Sequence, residues 1–174
     1  MKLSIRACTI EDLAVLRNFS YMTFDDTFRP MNSPSTMDDY MKQAFDMTRL
    51  RDELLNIHSS FYFLYADEQL AGYFKLNEAA AQTDIHDPES IEIERIYVDK
   101  KFQGKGLGSF LMNKAIDIAH TRQKSYIWLG VWEKNEKALR FYKRNGFSAI
   151  GTHSFFMGQE EQTDFIMRKD LLNK

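Results

Sequence analysis

The apolar positions of this chain change period along its length, and the changes divide it into elements. Leu3 to Cys8 alternates apolar with other residues, as a half-buried strand does. From Glu11 the spacing lengthens through Leu13, Leu16 and Phe19, the repeat of a helix, with Thr9 placed as its cap and Asp12 among the acidic residues that favour a first turn. The segment RPMNSP interrupts helical continuity twice by proline, and Ser35 or Thr36 then opens a second helical stretch from about Met37 to Ile57. Phe61 to Ala66 and Leu70 to Leu76 read as two strands around Asp67-Glu68, which is the length of a hairpin turn, and residues 79 to 89 read as a loop. Residues 91 to 98 form the next strand. A helix from Gly104 to about Arg122 follows, with Leu107, Phe110, Leu111, Ala115 and Ile118 on one stripe that packs on the sheet. A strand over Tyr126 to Val131, a short helix and two closing strands complete the order β α α β β β α β α β β. That order predicts an α/β (α+β) chain with a mixed, largely antiparallel sheet and helices on both faces. No repeat, low-complexity segment or linker marks a second domain, so residues 1–174 read as one.

The most informative stretch is IEIERIYVDKKFQGKGLGS, residues 91 to 109, where a charged strand runs into a glycine-rich turn and then a helix. Glycines remove side chains where the backbone must turn tightly, and the first N–H groups of the helix, at its positive dipole end, point at the turn. The order therefore predicts an anion site suited to a phosphorylated ligand. Two common loops are excluded by spacing. The dinucleotide fingerprint wants a third glycine where Ser109 stands, and the phosphate loop of nucleotide hydrolases wants Ser or Thr after Lys105, where Gly106 stands.

The pattern that fits is Gln-x-x-Gly-x-Gly, running from Gln103 to Gly108, and it resembles the pyrophosphate loop of the GNAT family of N-acetyltransferases. The strand at 126–131, then Asn135, Ala138, Phe141, Tyr142 and Gly146-Phe147, resembles the second half of that family's cofactor site. More narrowly, EIERIYV, IWLGVWEKNEKA and HSFFMGQEEQTDFIM resemble the bacterial polyamine acetyltransferases of the PaiA type. The resemblance implies the GNAT fold, with the strands at 91–98 and 126–131 splayed apart, and acetyl-coenzyme A as cosubstrate. It implies cofactor contacts from Ile96, Tyr97 and Val98, from Gln103, Gly104, Lys105, Gly106, Leu107, Gly108 and Ser109, and from Asn135, Tyr142 and Arg144. It also implies a primary amine, spermidine or spermine, as acceptor. A protein or peptide Nα-acetyltransferase, or a non-catalytic sensor of acetyl-coenzyme A, are the rival readings.

Bulk properties narrow the field. An apolar content of 44% over 174 residues suits a chain with a proper core and excludes a disordered tail. No apolar run approaches the roughly 20 residues of a membrane span, and MKLSIRACTIEDL lacks a secretion signal, so a cytoplasmic protein with no membrane partner is expected. Cys8 is the only cysteine, which rules out an intrachain disulfide, and it reads as a buried strand residue. A formal charge of −2 and a pI near 6.1 argue against a nucleic-acid partner and suit a cationic substrate better. The four histidines lack ligand spacing, so no metal is implied. A homodimer is left open.

In the strand at 91–98, strict alternation puts Glu92, Glu94, Ile96 and Val98 on one face and Ile91, Ile93, Arg95 and Tyr97 on the other. Burying an unpaired carboxylate is costly, so that face must meet water, a partner charge or a substrate. In one reading Glu92 sits at the sheet edge and Glu94 pairs with a basic residue of the neighbouring strand. In the other Glu94, helped by Glu92, removes the proton from an ammonium whose pKa is near 10. Tyr142, standing where the family's tyrosine stands, is then the acid that protonates the departing thiolate. Asn135 has two roles open to it, helix cap and amide partner of the pantetheine. Asp25, Asp26, Glu133, Glu160, Glu161 and Asp164 are further acids able to line a polycation groove, although a run such as 159–161 is more often solvated loop.

Overall fold

The computed structural model describes residues 1–171. Seven strands, β1 (Leu3–Ala7), β2 (Ser59–Ala66), β3 (Gln69–Asn77), β4 (Ser90–Val98), β5 (Tyr126–Trp132), β6 (Ser148–Met157) and β7 (Glu160–Asp170), form one sheet in the order β1-β2-β3-β4-β5-β7-β6. Every neighbouring pair is antiparallel except β4 and β5. Helices α4 (Leu107–Thr121) and α5 (Glu136–Arg144) share one cluster with Ile91, Ile93, Ile127 and Leu129. Helices α1 (Leu13–Phe28), α2 (Pro34–Ala44) and α3 (Met47–Leu55) cover the other face, over Phe61, Phe63, Tyr73 and Tyr97. This is the mixed sheet, with helices on both faces, that the element order predicts.

Three local differences from expectation have simple causes. The second helical stretch is two helices, because Asp46 turns the chain and its carboxylate accepts from Arg49 N at 3.0 Å to cap α3. Helix α2 begins earlier than Ser35, since Ser33 caps it and Pro34 takes the first helical position, where no N–H is needed. Helix α4 begins only at Leu107, because Gly104 and Gly106 have φ of 77° and 81° and cannot be helical. Cys8 lies just beyond β1 and is half-buried, with burial pushing its thiol up to about 12.

Strict alternation fails in β4. Lys75 opposes Arg95 while Leu76 opposes Ile93, so Glu94 is an extra residue, a bulge, in the β3–β4 ladder. A one-residue insertion reverses the facing of everything beyond it. Ile96 and Val98 therefore join Ile91 and Ile93 in the α4 cluster, not Glu92 and Glu94, while Tyr97 packs on the α1–α3 side. The two carboxylates still face the same way: Asn77 Nδ2 donates to Glu92 Oε1 and to Glu94 Oε2, each at 2.9 Å.

Candidate active site

Strands β4 and β5 pair over three positions only, Ser90 with Tyr126, Ile91 with Ile127 and Glu92 with Trp128. Beyond them β4 stays on β3 as far as Val98, and β5 stays on β7 as far as Trp132 opposite Asp164. The two strands thus part into a cleft, and each turns one edge of its backbone toward the gap. Asp99 N donates to Ala71 O at 2.8 Å, which fixes the parity of the β3–β4 ladder. By alternation the backbone groups of Arg95 and Tyr97 point at β3, and those of Ile96 and Val98 point into the cleft. Val98 O takes a hydrogen bond from Gln103 Nε2 at 3.2 Å.

The glycine turn closes one end of the cleft. The first bond of α4 runs from Phe110 N to Gly106 O, so the N–H groups of Leu107, Gly108 and Ser109 have no partner within the helix and gather at its positive end. Gln103, Gly104, Gly106, Leu107, Gly108 and Ser109 all line the cleft, as do Ile96, Tyr97, Val98, Asn135, Tyr142 and Arg144. Lys105 does not: its ammonium lies 5.5 Å from the centre of the Phe102 ring. Lys100 and Lys137 add positive charge near the turn, while Lys134 lines the cleft over the Trp132 ring. Gln103 Oε1 accepts from Lys137 Nζ at 3.0 Å, which links the turn to α5. The cap role of Asn135 is present, its Oδ1 accepting from Ala138 N at 3.2 Å. Tyr142, one turn from the end of α5, packs between Phe141 and Phe147, and burial pushes its phenol well above the usual range. Its hydroxyl makes no side-chain hydrogen bond among the described residues.

The carboxylates are differently held. Glu94 forms an ion pair with Lys75 of β3, as one of the two readings has it, although Glu92 lies between β3 and β5 and not at the sheet edge; Lys75 also contacts Glu53 of α3 at 2.9 Å, and Arg95 reaches Glu53 at 3.4 Å. Burial alone would raise the Glu94 carboxyl, but Arg95 and Lys75 outweigh it and hold it down to about 2. Glu92 is 2% exposed and accepts from Asn77 and from the backbone and hydroxyl of Thr83. Burial, with the charge of Glu94 beside it, pushes Glu92 up. Asp164, His153 and Asp84, with Tyr40 of α2, line the same cleft. Sequence reading had placed only Asp164 of these four in the groove; residues from an irregular loop, a helix and a sheet edge share no spacing that would gather them. At about 1390 Å³ the cleft exceeds the roughly 300–1,000 Å³ of single-ligand pockets and has room for two molecules end to end. Among the described residues no group of three or more His, Cys, Asp or Glu is placed to hold a metal ion, and no helix is long and apolar enough to cross a membrane.

A splayed β4–β5 cleft with a glycine turn feeding a helix defines an acyltransferase scaffold, and the comparisons agree. Residues 23–147 match the Acetyltransferase (GNAT) family, and the chain belongs to that family. An uncharacterised N-acetyltransferase of Lactobacillus delbrueckii subsp. lactis is 41% identical over 162 residues, covering 93% of this chain and 94% of its own length. The spermidine N(1)-acetyltransferase of Thermoplasma acidophilum is 24% identical over 173 residues, 97% of this chain and 98% of its own. The crystal structure of the PaiA N-acetyltransferase from Thermoplasma acidophilum in complex with coenzyme A superposes with a TM-score of 0.81 at 24% identity, covering 98% of this chain and all of that one.

Two outcomes follow from the geometry. A β-branched residue at Gly106 meets no neighbour within 4 Å but must adopt a φ of 81°, so Gly106→Val is expected to distort the turn while leaving the core intact. Its coenzyme A affinity, read by calorimetry, should fall at least tenfold with little change in far-ultraviolet circular dichroism. Because the folded Glu94 is depressed to about 2, its stabilising contribution is complete above the unfolded value near 4.3 and is lost as pH falls toward 2. Urea melts of Glu94→Gln and the parent should therefore differ most above about pH 5 and converge only below about pH 2, toward pH 1.

Proposed function

We propose that the chain is an acetyl-coenzyme A-dependent amine N-acetyltransferase whose acceptor is a polyamine such as spermidine or spermine. One observation carries the reading. A single cleft has a cationic glycine turn at one end and paired carboxylates, Glu92 and Glu94, toward the other. The donors at the turn suit a pyrophosphate, and the exposed backbone edge of Ile96 and Val98 suits an extended amide chain such as pantetheine, taken up as an added strand would be. When bound, acetyl-coenzyme A supplies the acetyl group as a thioester. The likeness to the spermidine N(1)-acetyltransferase of Thermoplasma acidophilum supports the polyamine class.

The chain's own groups divide the remaining work. Holding an amine beside a thioester in one cleft is itself a large part of catalysis. Tyr142 presents an unpartnered phenol on α5 and is the proton donor to the departing sulfur. Glu92 and Glu94 set a negative potential at the parting of the strands. Glu94 itself is a weak proton acceptor, because a carboxyl held at about 2 gives up its proton far too readily at neutral pH. Its part is to attract the ammonium and, with Asn77 and Lys75, to fix the bulge.

A coupled thiol-release assay over spermidine, spermine, diamines and a peptide with a free α-amine tests the substrate. Turnover should be highest with the polyamines. Preference for the peptide would move the acceptor to a protein N-terminus, and coenzyme A binding without any turnover would make the chain a sensor. Tyr142→Phe keeps the ring and loses the proton, so coenzyme A affinity should hold while turnover with spermidine falls by about 10² to 10⁴-fold.

A further inference from the structure

The wall of the cleft opposite β4 carries a carboxylate with no task in the scheme of Glu92, Glu94 and Tyr142. Asp164 of β7 stands in register with Trp132 of β5 and His153 of β6. One of its oxygens, Oδ1, is buried and accepts no hydrogen bond. The other, Oδ2, lies 3.6 Å from His153 Nε2, and His153 Nδ1 lies 3.0 Å from Asp84 Oδ2, both ion-pair contacts, with Nδ1 buried and not angled to hydrogen-bond until the ring turns. Side-chain exposure rises along this row from 14% at Asp164 through 26% at His153 to 41% at Asp84, so the three groups lead from the cleft out to water.

Two further features keep the space beside Asp164 free and polar. Gly130 of β5 faces the pair, and a β-carbon there would stand 3.3 Å from His153 Cε1 and 3.5 Å from Asp164 Oδ2. Gln162, two residues back along the same face of β7, is 9% exposed and lines the cleft. Its Nε2 donates to Asn32 Oδ1 at 2.9 Å, while its Oε1 is buried with no partner. Two acceptors are thus left unmet on side chains whose α-carbons stand about 7 Å apart along the strand, within reach of two nitrogens of one polyamine. Unmet buried acceptors are costly, and a ligand bearing N–H donors at both places removes the cost.

The charged and titratable groups facing Asp164 are few. His153 comes from β6 and Asp84 from the loop after β3; Tyr40 of α2 feels both Asp164 and Glu94; Arg49 and Arg95 lie further off and also act on Tyr40. Among the described residues His153 is the only basic side chain within ion-pair distance of Asp164, whereas Glu94 already has Lys75.

We propose that Asp164 receives the ammonium of the acceptor amine and takes its proton, that His153 and Asp84 pass that proton to water, and that Gln162 Oε1 accepts from a second amine of the same molecule. The inference rests on the amine acetyltransferase reading and assigns the base within it. The N–H bond of the ammonium breaks and an O–H bond forms on Asp164, leaving a neutral amine with its lone pair free to attack. The proton then moves to the imidazole of His153, which restores the carboxylate, and leaves beside Asp84 to solvent. Burial pushes Asp164 up to about 6, against the pull of His153, which places it far closer to neutral pH than Glu94 and suits it to accept a proton there.

The test compares the parent, Asp164→Asn and His153→Gln, with the rate on spermidine followed from pH 5 to 10. Coenzyme A binding, and spermidine binding to the coenzyme A-saturated protein, are measured by calorimetry. In the parent, kcat/KM should rise with pH through a limb near 6. Asp164→Asn should lose about 10²-fold or more at pH 7 and recover toward the amine's own pKa near 10, with coenzyme A affinity within twofold of the parent. His153→Gln removes a group that lowers Asp164, so the acid limb should move to higher pH. An Asp164→Asn protein with the parent's rate and profile, or one losing activity equally at every pH, overturns the assignment. If that variant does not fold, an unmoved acid limb in His153→Gln overturns it. If the parent acetylates no amine, the acetyltransferase reading fails by itself. Spermidine binding then still decides the ammonium site, which is overturned if parent and Asp164→Asn bind equally.

Discussion

The structure turns on the parting of β4 from β5. A parallel ladder of three positions is short, and breaking it in mid-sheet leaves backbone groups on both strands without partners at a cost of about 1–3 kcal/mol for each one buried. The chain meets this by committing each strand elsewhere. β4 is held by β3 from Glu92 to Val98, with a bulge at Glu94 that bends it, and β5 is held by β7 from end to end. The gap so made leaves those backbone edges free for a ligand to meet. The glycine turn, the cap of α5 and the carboxylates are all arranged around that gap.

The two walls of the cleft differ in how their charge is balanced. On the β4 side Lys75 and Arg95, both nearly buried, tie Glu94 to Glu53 and so fasten α3 to the sheet. Removing one partner from such a set leaves a buried charge uncompensated, at a cost of about 3–5 kcal/mol. On the β7 side Asp164 is buried nearly as deeply with much weaker compensation. One wall uses its acids to hold the fold together. The other holds an acid whose charge the fold does not need.

Much of this was legible in the sequence, wherever a local rule decides the outcome. Gly104 and Gly106 announce a turn at positive φ, which side chains disfavour, and Asn135 ahead of an apolar-striped segment announces a cap. Apolar spacing continues across Phe45 and Asp46, so the sequence predicts one helical stretch from about Met37 to Ile57; the break lies in a single capping carboxylate. The facing of Ile96 and Val98 was misread because a bulge depends on how β4 meets β3, which no window of β4 alone contains. The grouping of Asp84, His153 and Asp164 lies deeper still. It is made by the β6–β7 pair and a loop from the middle of the chain, about 70 residues earlier, and nothing in their spacing records it.

Gly130 gives the acceptor side a property of its own. It is the one position of β5 where the cleft wall has no side chain, and its neighbours are His153 and Asp164, not the glycine turn or Tyr142. Bulk added there would narrow the space for the incoming amine while leaving the cosubstrate's end of the cleft untouched. The range of amines accepted is thereby separable from the machinery that carries the acetyl group. Selection can retune the one by the volume of a single residue without redesigning the other.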